Sequence, residues 1–180
     1  MDTEERRQQL LALLQKAKGP ITGAELSQQL KVSRQIIVQD VAVLRARQEN
    51  IMATPQGYLL LEPSFDSRPK RTLVCRHQYE DIDKELRLIV ETGGVVIDVV
   101  VEHQLYGELK APLMIRTTND VDEFMKKMET TKAKPLSHLT GGVHLHTVEA
   151  DSEEILDDIE KKLKKAGVLV SRIDKRDALV

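Results

Sequence analysis

A single cysteine, Cys75, stands in the 180 residues, so no disulfide framework can form within the chain. No apolar run approaches the roughly 20 residues that span a bilayer. The first residues, "MDTEERRQQLLALLQKAKG", are charged and amphipathic, unlike a secretory leader. The sequence holds no H-E-x-x-H, no G-x-x-x-x-G-K-[ST], no G-x-G-x-x-G and no G-x-S-x-G, and no motif sets a nucleophile beside a base. These absences predict a soluble cytoplasmic protein with no membrane association, and they leave the common enzyme classes without support.

What is present is an ordinary globular mixture, 41% hydrophobic and 31% charged, long enough for one domain or two small ones. The net charge of −2 conceals a tilt. Residues 1–70 carry ten basic and eight acidic side chains, whereas residues 71–180 are net acidic. An N-terminal piece that meets a polyanion fits that tilt.

Leu10, Leu13, Leu14 and Ala17 share one helical face, and Gly19-Pro20 closes that helix. Thr22 and Glu25 have capping-box spacing for a short second helix with Leu26 and Leu30 inward. After a tight "KVS" connector, Ser33 caps a third helix whose inward residues are Ile37, Val41 and Leu44. Two short helices joined by such a turn make a helix-turn-helix. Its second helix reads the major groove with its first residues, here Ser33, Arg34 and Gln35, with Gln39 one turn on. Arginine pairs with guanine and glutamine with adenine through two hydrogen bonds each. "IMATPQGYLL" then alternates around a Pro55-Gln56-Gly57 turn, a hairpin placed as the wing of a winged helix. A small helical domain that binds protein is the blander alternative.

The Pro- and Ser-containing stretch near residues 61–70 marks a boundary. It gives a DNA-binding domain over 1–62, a linker over 63–70 and a second domain over 71–180. That second domain alternates strands ("RTLVCRH", "VVIDVVVEH", "GELKAPLMI", "GVHLHTVEA", "VLVSRI") with helices ("YEDIDKELRLIVETGG", "NDVDEFMKKMET", "SEEILDDIEKKLKKAG"). A hairpin pair among the strands predicts an α+β unit, a largely antiparallel sheet with helices on one face.

"GGVHLHTVEA" places His144 and His146 at i and i+2, on one face of a strand. Such a pair can be two metal ligands, half of a catalytic site or two polar residues on a wet face. His77 ends the first strand of this domain, and Glu85 lies early in the next helix, where the two can meet at a corner. Three imidazoles and one carboxylate suit zinc, nickel, iron or manganese. A lone strand histidine is more often a surface or satisfied core residue, and Glu85 sits among other acids. Cys75 would share a face with His77 as a soft ligand or, more commonly, a buried structural thiol.

Together, "VSRQIIVQD" in a winged helix, "RH" on the next strand, "VVVEHQLYGEL" and "PLSHLTGGVHLHTVEA" resemble the niacin-responsive transcriptional repressors of bacteria, whose C-terminal module is the 3H domain. The resemblance covers essentially the whole chain. It implies an HPr-like two-layer second domain and a homodimer on double-stranded operator DNA, not an enzyme. It implies repression of genes for NAD biosynthesis or niacin uptake, with nicotinic acid as co-repressor. It also implies a divalent metal, zinc or nickel, held by His77, Glu85, His144 and His146. His103 and Tyr106 are candidate walls of the effector pocket. A metal-responsive repressor without an organic effector is the alternative, and a metalloenzyme fused to a DNA-binding domain a more distant one.

Overall fold

The computed structural model describes residues 2–61 and 68–172. The chain divides into two compact units, residues 1–66 and 67–180. Most of the stretch read as a linker, residues 63–67, lies outside the described residues.

The first unit contains α1 (Thr3–Lys16), α2 (Gly23–Leu30), α3 (Arg34–Ala46) and a hairpin of β1 (Ile51–Thr54) and β2 (Gly57–Leu60). Side-chain caps start every helix. Asp2 with Glu5 and Thr22 with Glu25 form capping boxes, and Ser33 Oγ accepts from the Ile36 amide. Each such cap contributes about 1 kcal/mol. Lys31, in the left-handed region (φ 54°), ends α2 and begins the three-residue turn into α3. Leu10, Leu14, Leu26, Leu30, Ile37, Val41, Leu44 and Ile51 form the core between the helices and the wing. Ile21 adds a bridge to the hairpin, exchanging two backbone hydrogen bonds with Tyr58. Gly57 permits that approach, because a Cβ there would lie 2.4 Å from the Ile21 carbonyl oxygen.

The second unit is built on a five-stranded antiparallel sheet. Its strands are β3 (Lys70–Arg76), β4 (Val95–His103), β5 (Gly107–Ile115), β6 (Val143–Glu149) and β7 (Leu169–Arg172), in the order β5-β4-β6-β3-β7. Helices α4 (Ile82–Glu91), α5 (Thr118–Thr131) and α6 (Glu153–Lys165) bury Leu86, Ile89, Val121, Met128, Leu156, Ile159 and Leu163 in one cluster with Leu73, Cys75, Val96, Ile115 and Val148 of the sheet. This is the α+β arrangement expected from the sequence.

Two details depart from the sequence reading. The helix expected from residue 79 opens with a 3₁₀ turn, Tyr79–Asp81, before α4 proper, because no side chain caps that end. A second 3₁₀ turn, Leu136–Thr140, follows Pro135 and leads into β6. The last strand expected over "VLVSRI" is β7 as far as Arg172, and Ile173 lies outside the described residues. Among the described residues, no helix is long and apolar enough to cross a membrane.

Candidate functional site

Strand register decides where the histidines look. Leu73 lies opposite His146 and Cys75 opposite His144. Leu73, Cys75 and Val148 belong to the helix-facing core, so the alternation of β6 turns His144 and His146 inward too. They are 2% and 3% exposed, which excludes the wet-face alternative. His77 follows the end of β3, and Glu85 comes down from the first turn of α4, 1% exposed.

The three imidazoles converge on one carboxylate oxygen. Glu85 Oε2 lies 2.6 Å from His77 Nε2, 3.3 Å from His144 Nε2 and 3.4 Å from His146 Nε2. On the far side, each Nδ1 meets a backbone carbonyl: Gln78 for His77 (2.8 Å), Gly142 for His144 (2.9 Å) and Asp98 for His146 (2.7 Å). A carbonyl only accepts, so each Nδ1 carries the hydrogen. Neutral rings therefore aim three Nε2 lone pairs at an anionic oxygen. Positive charge must sit among them, as protons on the rings or as a bound cation. Glu85 Oε1 is buried with no hydrogen-bond partner. Three nitrogen donors, a carboxylate with a free oxygen, and carbonyl-anchored rings fit a divalent transition metal.

The charges respond accordingly. Burial opposes ionisation of Glu85, but the charge of His146 and the hydrogen bonds from the three rings outweigh it and hold the carboxyl well below its ordinary range. Burial likewise opposes protonation of His77 and His146, and Glu85 more than offsets it, so both sit above the ordinary histidine value. Cys75 joins this cluster: its sulfur, a Glu85 oxygen and a His144 nitrogen lie within 4.8 Å of one another. Burial, with the Glu85 charge, pushes that thiol upward, which favours the neutral form.

Local backbone features set these positions. Gly142 has φ 96°, and a Cβ on it would lie 2.2 Å from the His77 carbonyl oxygen. Its own carbonyl accepts from the His144 ring and from the His77 amide. One glycine thus ties two of the three histidines together. At β4 the ladder to β6 is irregular between Val96 and Asp98. There the Thr147 amide bonds Asp98 Oδ1 (3.2 Å), and the Asp98 carbonyl takes the His146 ring. Lys110 pairs with the other Asp98 oxygen at 2.8 Å.

His103 and Tyr106 occupy the β4–β5 turn. His103 Nδ1 accepts from the Leu105 and Tyr106 amides, and the two rings stack at 5.0 Å. Neither lines the cleft that opens at His77, whose walls include Lys132, to which sequence reasoning gave no role, and His138, which it weighed beside His103 as a turn-flanking pocket residue without assigning it a role.

In the first unit, Ser33, Arg34, Gln35 and Gln39 are all exposed on α3. Arg34 has no ion-pair partner among the described residues. Val38, half exposed on the same face, was missed by sequence reasoning, which followed only the inward stripe. It presents an apolar surface of the kind that meets a thymine methyl. On the opposite side Asp40, 1% exposed, accepts from Arg6 Nε (2.6 Å) and Arg7 Nε (3.0 Å), clamping α1 to α3.

Comparison with known proteins agrees with this organisation. Residues 6–59 match an HTH domain and residues 70–172 the 3H domain. The probable transcription repressor NiaR of Thermotoga maritima is 42% identical over 167 residues, 93% of this chain and 94% of that protein. The transcription repressor NadR of Bacillus subtilis is 42% identical over 167 residues, 92% of this chain and 93% of that protein. An uncharacterized protein of Methanothermus fervidus is 30% identical over 112 residues, 57% of this chain but 17% of that protein. Fold and relatives define a helix-turn-helix DNA-binding regulator and not an enzyme. The chain belongs to the niacin-responsive transcription repressor family.

Proposed function

We propose that this repressor binds operator DNA as a homodimer and acts on genes of NAD biosynthesis or niacin uptake. Nicotinic acid is its co-repressor, and a divalent metal, zinc or nickel, is held in the 3H domain by His77, Glu85, His144 and His146. The observation that carries the metal reading is the orientation of the three rings: each Nδ1 is committed to a carbonyl, leaving each Nε2 to face Glu85. When bound, the ion supplies the positive charge that offsets Glu85 in this buried set. Ser33, Arg34, Gln35 and Gln39 read the bases, a role supported by their exposure on α3.

Regulation then follows from linkage. Nicotinic acid must bind the DNA-competent state of the dimer better than the other state. A tenfold gain in DNA affinity requires about 1.4 kcal/mol of such coupling. A dimer reads two half-sites at fixed spacing, so small changes in how its reading helices are held suffice.

The test begins with a duplex selected from a random pool by the full-length protein with zinc and nicotinic acid present. Affinity for that duplex is expected to rise at least tenfold on adding nicotinic acid, and to lose this response in His144→Ala. An affinity that follows zinc and ignores nicotinic acid would replace the reading with the metal-responsive one.

A further inference from the structure

The five-stranded sheet has two unlike faces. Helices α4, α5 and α6 bury their apolar stripes on the face that carries Leu73, Cys75, Val96 and Val148. Val74, Val100 and Leu145 alternate to the other face and lie outside that core. Register places these three in one row: Leu145 is opposite Val74 on β3 and opposite Val100 on β4. The outward face of an antiparallel sheet usually carries polar side chains at such positions. Here the centre is two valines and a leucine, none of them buried, and Val143, 38% exposed, stands beside Leu145 on the same face of β6.

The charges on this face fall into two groups. Lys110 pairs with Asp98 at 2.8 Å and Lys70 with Glu149 at 3.1 Å, so these are satisfied within the chain. The row through Val143 is different. The ladders pair Glu102 with Glu108 and Val143 with Arg76, and extending the Val100–Leu145 register by two residues sets Glu102 beside Val143. Glu102, Glu108 and Arg76 are exposed, and none has an ion-pair partner among the described residues. Two acids directly opposite each other repel, so the β4–β5 side of the row lacks a cation that its own strands do not supply.

This layout is complementary to itself. Sheets stacked face to face lie about 10 Å apart with their strands within about 30° of each other. A twofold axis along β6, in the plane between two such faces, carries β4 of one copy over β3 of the other. Leu145 and Val143 then meet their own counterparts near the axis, and Val100 meets Val74 of the second copy. Arg76 of each copy comes over Glu102 of the other, which relieves the acid pair twice. A closed, isologous contact of this kind needs no other partner.

We propose that the helix-free face of this sheet is the surface through which two copies of the chain pair, with the twofold axis along β6 and reciprocal Arg76–Glu102 ion pairs beside a Val74–Leu145–Val100 centre. This rests on the homodimer reading and assigns its surface. β6 turns His144 and His146 to the helix side and Leu145 to the second copy, so a displacement of the histidine set reaches the pairing surface through a single strand.

Sedimentation equilibrium of the full-length, zinc-loaded protein measures the dimer dissociation constant of wild type, Arg76→Glu, Glu102→Lys and the double variant. Zinc content and melting temperature are recorded for each. Either single reversal sets like charges across the axis and is expected to raise the constant at least about tenfold. The double variant restores opposite charges and is expected to return close to wild type. A second readout is independent of charge: Val143→Cys is expected to join two copies through a short bis-maleimide, Leu105→Cys in the β4–β5 turn is not, and buried Cys75 stays unmodified in both. A wild-type protein that sediments as a monomer overturns this inference and the homodimer reading together. A dimer that withstands the single reversals, or that the double variant fails to restore, overturns the surface while the homodimer reading survives. Val143→Cys that reacts without joining copies also overturns it, and Val143→Cys closed to maleimide does so by placing another part of the chain on the face.

Discussion

Two adjacent glycines carry different burdens. Gly141 and Gly142 both have positive φ, 63° and 96°. A Cβ on Gly141 would meet nothing within 4 Å, whereas one on Gly142 would strike the His77 carbonyl at 2.2 Å. Gly141→Ala is therefore expected to cost about 1 kcal/mol of stability through backbone strain alone, with zinc affinity unchanged. Gly142→Ala must push His77 and His144 apart. It is expected to lower zinc affinity by roughly 10- to 100-fold, the usual cost of disturbing groups that orient ligands. Competition against a chromophoric chelator measures both. The sequence made the H-x-H pair legible because strand alternation is a strict period of two. Glu85 was legible only as a companion of His77, from a strand end and an early helical turn that can meet at one corner, since an acid in an acidic helix carries no mark of burial until the fold places it under three imidazoles. The resemblance to the repressor family pointed to the same residue. The carbonyls of Gln78, Gly142 and Asp98 are backbone atoms that every residue has, so no side-chain pattern could announce them.

At the scale of the element, the reading helix depends on how it is held. α3 presents Arg34, Gln35, Val38 and Gln39 outward, and Asp40 behind them binds Arg6 and Arg7 of α1. Burial disfavours the Asp40 charge, but the hydrogen bonds from the two arginines outweigh it and hold the carboxyl below its ordinary value of 3.8. A depressed carboxyl contributes stability that is fully present above the unfolded value and lost as pH falls through the folded one. Asp40→Asn is thus expected to lower the melting temperature at pH 7 clearly more than at pH 3. Thermal unfolding at the two pH values checks it, and an equal deficit at both would remove Asp40 from the ledger of ionic contacts. Arg34→Ala tests the outward face: operator affinity should fall by more than tenfold in a binding titration, with zinc content and nicotinic acid affinity retained. Loss of all three together would contradict separate roles for the two units. The helices and their caps were readable because capping-box spacing and apolar periodicity are local. The 3₁₀ turn at Leu136–Thr140 and the bulge in β4 were not, because each answers to a partner distant in sequence.

At the scale of the whole molecule, the proposed function divides recognition and response between the two units. One offers an exposed helix face and a wing, and the other buries His77, Glu85, His144 and His146 as one cluster. A ligand shifts an equilibrium only by its differential affinity for the two states, so the proposed function requires that a metal and an effector both favour the same arrangement of the 3H domain. The β6 segment belongs to that arrangement, since His144 and His146 face Glu85. The most direct measurement is a calorimetric titration of nicotinic acid into the zinc-loaded protein, repeated on the same sample after chelation. Saturable binding in the loaded protein that disappears on chelation is the predicted result. Absence of heat in both samples would contradict the account and leave a repressor that answers to something other than nicotinic acid.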